Sequence, residues 1–156
     1  LKTEEVQVLR VTLKECGLIK TRTGKMSLTA KGKQLLADHN ELLRTMILFL
    51  LRDYDTGWLD LCEDNMVGNF GRLYSLWLLH HYGEDWRSTR FYADEYNKAF
   101  PMLNAEYGYE YRVFNRLFRF IGVCEINESD DFKGKNWGRE ARKAALLDQM
   151  FTFEEP

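Results

Sequence analysis

The side chains that could perform chemistry in this chain begin with two adjacent histidines, His80 and His81, which follow Cys62, Glu63 and Asp64. Histidine, cysteine and carboxylate side chains are the usual ligands of zinc. Neighbouring residues on a helix point about 100° apart, so the two histidines are badly placed to bind one ion, and no HExxH or CxxC motif accompanies them. We therefore predict no metal site. We expect one histidine to interact favourably with the helix dipole at a helix end, and the other to be partly packed in the protein.

Other motifs of catalysis or ligand binding are incomplete. The run Asp53-x-Asp55-x-Gly57 resembles the start of a calcium loop, but Gly57 and Trp58 stand where Asp or Asn and then Gly are required. No GxSxG, P-loop or dinucleotide motif is present, and the glycines of Gly68-Asn69-Phe70-Gly71 are better explained by close helix packing. The sequence therefore predicts a non-enzymatic protein with no cofactor and no small-molecule ligand.

Aromatic residues are dense near the end of the chain, where Tyr107, Tyr109 and Tyr111 precede Phe114 and Phe118. Such a group could stack the bases of a single-stranded nucleic acid. The alternative, which we prefer, is a core or subunit contact, because aromatic side chains bury large apolar areas.

Basic residues are concentrated at the beginning of the chain. Residues 1–34 contain eight Lys or Arg and three Asp or Glu, a balance of +5, while the net charge of the whole chain is −2. One helical face and the turn after it would carry these groups to a phosphate backbone. The candidate nucleic-acid-binding residues are Gln7, Arg10, Lys14, Lys20, Arg22 and Lys25, with Arg112 and Arg119 at the equivalent places later in the chain.

Acidic residues oppose this interpretation. Glu4 and Glu5 lie at the start of the same helix, where a recognition helix would meet DNA, and they suit the helix dipole instead. The basic face therefore fits either a DNA-binding surface or a solvated, protein-binding surface, and we prefer the second.

The elements that position these residues include one pattern that occurs twice. Residues 6–19 and 111–124 each form an amphipathic helix that ends in a glycine, Gly17 or Gly122, followed by two apolar residues. The apolar positions coincide when these glycines are aligned, at Val6/Tyr111, Val8/Val113, Leu9/Phe114, Leu13/Phe118, Cys16/Ile121, Leu18/Val123 and Ile19/Cys124. We therefore predict one structural unit used twice, with Leu9, Leu13, Phe114 and Phe118 in the core.

The segment after the first copy predicts a small β-hairpin. Leu18 and Ile19 begin a strand, residues 23–25 form a tight turn, and Met26 and Leu28 alternate with a polar residue. Thr29 then stands at the N-cap of a helix over residues 30–36. The predicted order is helix, two-stranded wing, helix.

That order and its residues resemble the recognition helix, wing and following helix of winged-helix domains, a type of helix-turn-helix protein. The resemblance rests on Gly17-Leu18-Ile19, the basic turn, Leu28-Thr29 and Gly32. The whole chain looks like the C-terminal region of the plasmid ORF-3-like family of bacterial proteins, a resemblance that implies no catalytic residues. In the second copy residues 127–134 make a longer acidic turn, and Trp137-Gly138 takes the place of the Leu-Thr step.

The remaining sequence predicts helices. We expect them over residues 41–52 with Asn40 as N-cap, 66–82, 89–100 with Ser88 as N-cap, 105–121 and 139–151. The predicted fold class is mainly α with small β-hairpins, two winged-helix-like units joined by a helical segment. The predicted divisions are 1–40, 41–104 and 105–156, packed into one compact body.

Composition limits the possible classes of protein. The chain has 156 residues and 45% hydrophobic residues, enough for a sizeable core, and its longest apolar run, residues 46–51, is too short to cross a membrane. Cys16, Cys62 and Cys124 are widely spaced, which is typical of buried thiols in a reducing cytoplasm. Because the first residue is Leu1 rather than Met, we expect a further N-terminal region. The sequence favours a bacterial, cytoplasmic interaction module with a protein partner or self-association, and DNA binding is the alternative.

Overall fold

The computed structural model describes residues 3–57, 66–105, 108–127 and 139–154. The chain divides into two compact units, unit 1 over Leu1–Tyr54 and unit 2 over Asp55–Pro156. The fold is mainly α with small antiparallel sheets, as the sequence predicts. The division into segments 1–40, 41–104 and 105–156 stays a prediction.

Unit 1 is a helix, a hairpin and two further helices. Helix α1 spans Thr3–Glu15, strands β1 and β2 span Ile19–Arg22 and Lys25–Leu28, and helices α2 and α3 span Ala30–Leu35 and His39–Arg52. Thr23 and Gly24 have φ angles of 48° and 76°, the left-handed pair that a two-residue hairpin turn requires. The predicted hairpin is therefore confirmed.

Thr29 connects this hairpin to α2 in the way the sequence predicts. Its hydroxyl accepts the N–H of Gly32 at 3.0 Å and donates to the carbonyl of Gly17 at 2.6 Å. Gly32 is required because a Cβ there would lie 2.1 Å from the carbonyl oxygen of Leu18. The cap of α3 differs from the prediction, since Asp38 rather than Asn40 accepts the N–H of Glu41.

Unit 2 alternates helices with short strands. Helix α4 spans Arg72–Tyr82, β3 Arg87–Ser88 and α5 Thr89–Ala99. A π-helix over Glu110–Phe118 continues into α6, Arg119–Ile121. Strands β4 and β5 span Cys124–Asn127 and Glu140–Lys143, and α7 spans Ala145–Met150. The strands form one antiparallel sheet in the order β3-β5-β4, and Ser88 caps α5 as predicted.

The two glycine-ended helices lead into their hairpins through similar backbone geometry, and the internal repeat itself stays a prediction. Gly17 and Gly122 both end a helix with positive φ, at 71° and 80°. In unit 1 Leu18 N–H donates to Leu13 and the Leu18 carbonyl accepts Thr29 N–H, at 2.9 and 3.0 Å. Val123 makes the equivalent bonds in unit 2, donating to Phe118 at 3.0 Å and accepting from Ala144 at 2.9 Å.

Several predicted boundaries in unit 2 are wrong. The helix expected over residues 139–151 is strand β5 followed by α7, because residues 140–143 pair with β4. Lys143-Ala144, not Trp137-Gly138, therefore replaces the Leu28-Thr29 step, and Trp137 and Gly138 lie outside the described residues. Helix α4 begins at Arg72 rather than 66, since Gly71 before it has a φ of 66°. The helix expected from residue 105 begins later and is largely of the π type.

The core assignment is confirmed for the second copy and partly wrong for the first. Phe114 and Phe118 are fully buried, whereas Leu9 and Leu13 are only half-buried. The buried positions of α1 are Val8, Thr12 and Cys16. Thr12 is tolerated there because its hydroxyl donates to the Val8 carbonyl at 2.8 Å, so no polar atom is left without a partner.

Two phenylalanines of one helix test the assignment of the core in unit 2. We expect Phe118→Ala to lower the free energy of unfolding by about 3 to 5 kcal/mol, because the fully buried ring would leave a cavity. Phe120→Ala is the matched control, since Phe120 lies in the same turn and is half-buried. Urea unfolding of the intact chain measures both. Equal losses for the two variants would contradict the assignment.

Candidate functional site

The candidate nucleic-acid-binding residues of unit 1 lie on its surface. Gln7, Arg10 and Lys14 are exposed along α1, and Lys20, Arg22 and Lys25 are exposed on the hairpin. Lys14 forms an ion pair with Glu15 at 3.5 Å. The side chain of Glu4 lies outside the described part, and Glu5 is half-buried. The structure therefore brings these six residues to one accessible helix and its wing.

Lys31 of unit 1, which the sequence analysis does not identify, has a structural role. The Nζ atom of Lys31 donates to the carbonyl of Cys16 at 2.9 Å. A cation at a helix C-terminus is favoured by the helix dipole. Lys31 on α2 thus stabilises the end of α1.

The corresponding residues in unit 2 have different environments. Arg119 is exposed, but Arg112 is only 3% exposed, and its Nη1 donates to the carbonyl of Val67 at 2.9 Å. The expectation that Arg112 lies on an open polar face is therefore wrong. Val67 lies shortly before α4, and its carbonyl is on the side of the π-helix from which Arg112 projects.

Arg112 belongs to an arginine cluster formed by Arg72, Arg112 and Arg116, all of which are buried. Arg72 Nε donates to the Gly68 carbonyl at 2.8 Å, and Arg116 Nη1 donates to the Thr56 carbonyl at 2.7 Å. Burying a guanidinium is costly unless it is hydrogen-bonded. The cluster meets this requirement partly through the backbone carbonyls of Thr56, Val67 and Gly68, and so it stabilises the positions of these residues.

Asn69 connects residues 55 and 56 to the beginning of α4. Its Oδ1 accepts the N–H and hydroxyl of Thr56 at 2.8 and 2.9 Å and also a hydrogen bond from Arg72, while its Nδ2 donates to Asp55 at 2.6 Å. Gly68 before it has a φ of 84°, and a Cβ there would lie 2.9 Å from both Arg112 and Thr56. The glycines near Asn69 thus permit close packing, as the sequence predicts. Residues 58–65, including Cys62, Glu63 and Asp64, lie outside the described residues.

The two histidines lie in the last turn of α4 and make separate contacts. His80 Nδ1 is 2.8 Å from Asp148 Oδ1, and its ring stacks on Phe153. His81 instead stacks on Trp77, with the ring planes 10° apart. Among the residues that the structure describes, no group of three His, Cys, Asp or Glu side chains is arranged to hold a metal ion.

Lys143 extends the contact of His80 into a polar cluster. Its Nζ lies 2.8 Å from Asp148 and 2.5 Å from Glu84. The hydrogen bonds to Asp148 and Glu84 raise the pKa of Lys143, and those from Lys143 and His80 lower the pKa of Asp148. Through these contacts the cluster joins Asp148 of α7 to His80 of α4 and Lys143 of β5.

Buried thiols match the sequence prediction where they are described. Cys16 and Cys124 are buried and unpaired by disulfides, and Cys62 lies outside the described residues. Burial raises the pKa of Cys124 to about 12, so its thiol is protonated at neutral pH. A protonated thiol is a poor nucleophile.

The three tyrosines near the end of the chain have different environments. Tyr109 is buried in the core, Tyr111 is exposed beneath the Arg116 guanidinium, and Tyr107 lies outside the described part.

An apolar surface on α4 is partly exposed, and the sequence analysis does not identify it. Five aromatic rings form a series of contacts, each ring with the next. Phe70 contacts Phe100, Phe100 contacts Tyr74, Tyr74 contacts Trp77 and Trp77 contacts His81, at centroid distances of 5.1 to 5.7 Å. We call these five residues the aromatic ladder. Leu73 beside it is 66% exposed, and Met102, in the turn after Phe100, is 76% exposed.

The signal for this surface was available in the sequence. Helix α4 has apolar residues on all sides, since Leu76 and Leu79 are buried on one face while Leu73 and Trp77 lie on another. A helix that is apolar all round is covered on all sides in most proteins. Gly71 supports the ladder, because a Cβ there would lie 2.5 Å from the Phe100 ring.

Comparison with known proteins adds no assignment. No protein-family model, curated protein or solved structure matches the chain. Within the described residues, no helix is long and apolar enough to span a membrane.

Replacement of Asn69 tests whether the segment before α4 depends on it. We expect Asn69→Ala to lower the free energy of unfolding by about 3 kcal/mol, since several buried groups would lose their partner. Asn127→Ala, which removes one exposed 3.4 Å contact with Glu140, is the control and should change it by less than about 0.5 kcal/mol. Urea unfolding monitored by tryptophan fluorescence compares the two. A loss at Asn69 no larger than that at Asn127 would contradict this role.

Proposed function

We propose that this protein is an interaction or assembly module built on a winged-helix-like scaffold, without catalysis of its own, that acts in the bacterial cytoplasm. The observation that carries the proposal is the aromatic ladder, in which Phe70 and His81 are exposed and the other three rings half-buried, together with the exposed Leu73 and Met102. The resemblance to the C-terminal region of plasmid ORF-3-like proteins belongs to the same proposal, because that resemblance implies no catalytic residues.

The energetics of this surface support an interaction. Burying a leucine or methionine side chain contributes about 1.5 to 3 kcal/mol relative to leaving it exposed. Contiguous apolar patches are uncommon on monomeric proteins and mark interaction sites when they occur. The ring contacts also hold the ladder in a fixed arrangement, so little side-chain entropy would be lost on binding.

The arginine cluster supports the same proposal. Arg112 occupies the place that Gln7 has in α1, but it bonds to the chain's own backbone. Cationic side chains of a helix that bond to the protein's own backbone are not available to bind a phosphate backbone. Unit 2 is thus better suited to binding protein than to binding DNA.

Self-association is the form of this proposal that can be tested with the chain alone. We expect sedimentation velocity to show concentration-dependent association between about 5 and 200 μM, a range usual for weak protein contacts. The double variant Leu73→Glu, Met102→Glu should be monomeric, because it places charges in the apolar surface. The control Leu36→Glu, Leu43→Glu changes two exposed leucines of unit 1 and should associate like the wild type. A wild-type protein that stays monomeric would contradict assembly through this surface.

A DNA-binding regulator is the second candidate, and the exposure of Gln7, Arg10, Lys14, Lys20, Arg22 and Lys25 favours it. These residues lie on one helix and its wing, and residues 19–28 contain no acidic side chain. The opposing observation is the charge of the rest of the chain, which is −7 beyond residue 34. A negative remainder weakens the long-range attraction of a duplex.

The salt dependence of duplex binding separates the two candidates. If unit 1 contacts phosphates, the logarithm of the binding constant for random duplex DNA falls with the logarithm of salt concentration, by about 0.9 per phosphate. Arg10→Glu with Lys14→Glu should then reduce this slope by about 0.9 for each lost contact. Arg90→Glu, at an exposed arginine of α5, is the control. Our first proposal expects only weak binding, and sub-micromolar affinity that the double variant abolishes would replace it by the second.

A further inference from the structure

The two hairpins of the chain can be compared residue by residue. Ile19 pairs with Leu28 in unit 1, and Cys124 pairs with Lys143 in unit 2, each two residues after the glycine that ends the preceding helix. Met26 on β2 therefore corresponds to Ala141 on β5, and Leu28 corresponds to Lys143. The connections differ in length, with two residues between β1 and β2 and twelve between β4 and β5.

In unit 2 the outer edge of β5 is occupied by residues 83–89 of the same chain. Lys143 N–H donates to the Gly83 carbonyl, and Thr89 N–H donates to the Arg139 carbonyl, both at 2.8 Å. Between these bonds Arg87 of β3 pairs with Ala141. Ala141 is fully buried as a result.

In unit 1 the corresponding edge of β2 is open. The hydrogen bond from Thr29 N–H to the Leu18 carbonyl fixes which pairs of the hairpin are hydrogen-bonded, because such pairs alternate along an antiparallel ladder. The backbone N–H and carbonyl groups of Met26 and Leu28 consequently point away from β1. Among the residues that the structure describes, β2 pairs with β1 alone, and Met26 is 61% exposed.

The hairpin also presents two chemically different faces. Side chains alternate across a strand, so Lys20, Arg22 and Lys25 share one face while Ile19, Met26 and Leu28 share the other. A strand added beside β2 would place its own residues on the same two faces. Cross-strand pairing favours opposite charges on the first face and apolar contact on the second.

We propose that the outer edge of β2 binds an extended segment of a partner protein in which acidic and apolar residues alternate. The segment would occupy the position that β3 has in unit 2, with main-chain hydrogen bonds to Met26 and Leu28. Its acidic residues would lie beside Lys25, and its apolar residues would cover Met26. This inference rests on the proposed interaction function but uses a surface other than the aromatic ladder.

Binding of a defined peptide tests the proposal. The probe is a fluorescein-labelled synthetic octapeptide that alternates glutamate and valine, titrated with the intact chain and followed by fluorescence anisotropy. We expect saturable binding that Met26→Pro weakens by about tenfold or more, since proline removes an outward N–H donor. Thr21→Pro is the matched control, because Thr21 is the cross-strand partner of Met26 and its N–H points out from β1. This control should bind within about twofold of the wild type.

A charge exchange keeps the test decisive if a proline variant fails to fold. Lys25→Glu should weaken binding of the glutamate peptide and strengthen binding of a peptide that alternates lysine and valine. Leu73→Glu with Met102→Glu should leave peptide binding unchanged, so failure of the aromatic ladder as an assembly surface is distinguishable from failure of this proposal. Absence of peptide binding would overturn it, as would equal effects of the two proline variants. A peptide-free dimer that Met26→Pro dissociates would also overturn it, because the occupant would then be a second copy of this chain.

Discussion

Both hairpins depend on one arrangement, a left-handed glycine followed by a buried residue whose two backbone groups are both used. Leu18 and Val123 donate backward to the helix that has just ended and accept from the residue that follows the second strand. The chain must therefore leave the helix, form a hairpin and return to the same residue. Because this geometry fixes the ends of both strands, the number of residues between them can vary, from two in unit 1 to twelve in unit 2.

The same scaffold is completed differently in the two units. In unit 1 a threonine hydroxyl and a small Gly32 hold α2 against the Leu18 peptide. In unit 2 Ala144 caps α7 without a side-chain bond, and the polar contacts of Lys143 with Asp148 and Glu84 connect these elements instead. Arg112 and Arg116 are buried and donate to the backbone carbonyls of Val67 and Thr56. The repeated backbone therefore does not imply a repeated function.

Local signals in the sequence predicted much of this fold. Gly17, Thr29 and Ser88 each fix a helix end through a φ angle or a side-chain hydrogen bond to a nearby residue, so their effect does not depend on distant parts of the chain. Residues 140–143 were predicted as helix because their neighbours have helical spacing, whereas their pairing with β3 and β4 depends on residues far away in sequence. The sequence also does not predict the π-helix, since the spacing of its apolar residues fits an α-helix.

The candidate surfaces were harder to predict because exposure is a property of the assembled fold. The apolar residues of α4 lie on more than one face of the helix, and only packing shows that Leu76 and Leu79 are buried while Leu73 is exposed. Arg112 and Gln7 occupy equivalent positions in the sequence pattern, yet Arg112 is buried and bonds to the Val67 carbonyl, whereas Gln7 is exposed. The outer edge of β2 is defined by a similar difference, since in the described part of the chain β5 has both β3 and β4 as neighbours while β2 has β1 alone. The surface that unit 1 offers to a partner strand is thus the one that unit 2 covers with its own residues.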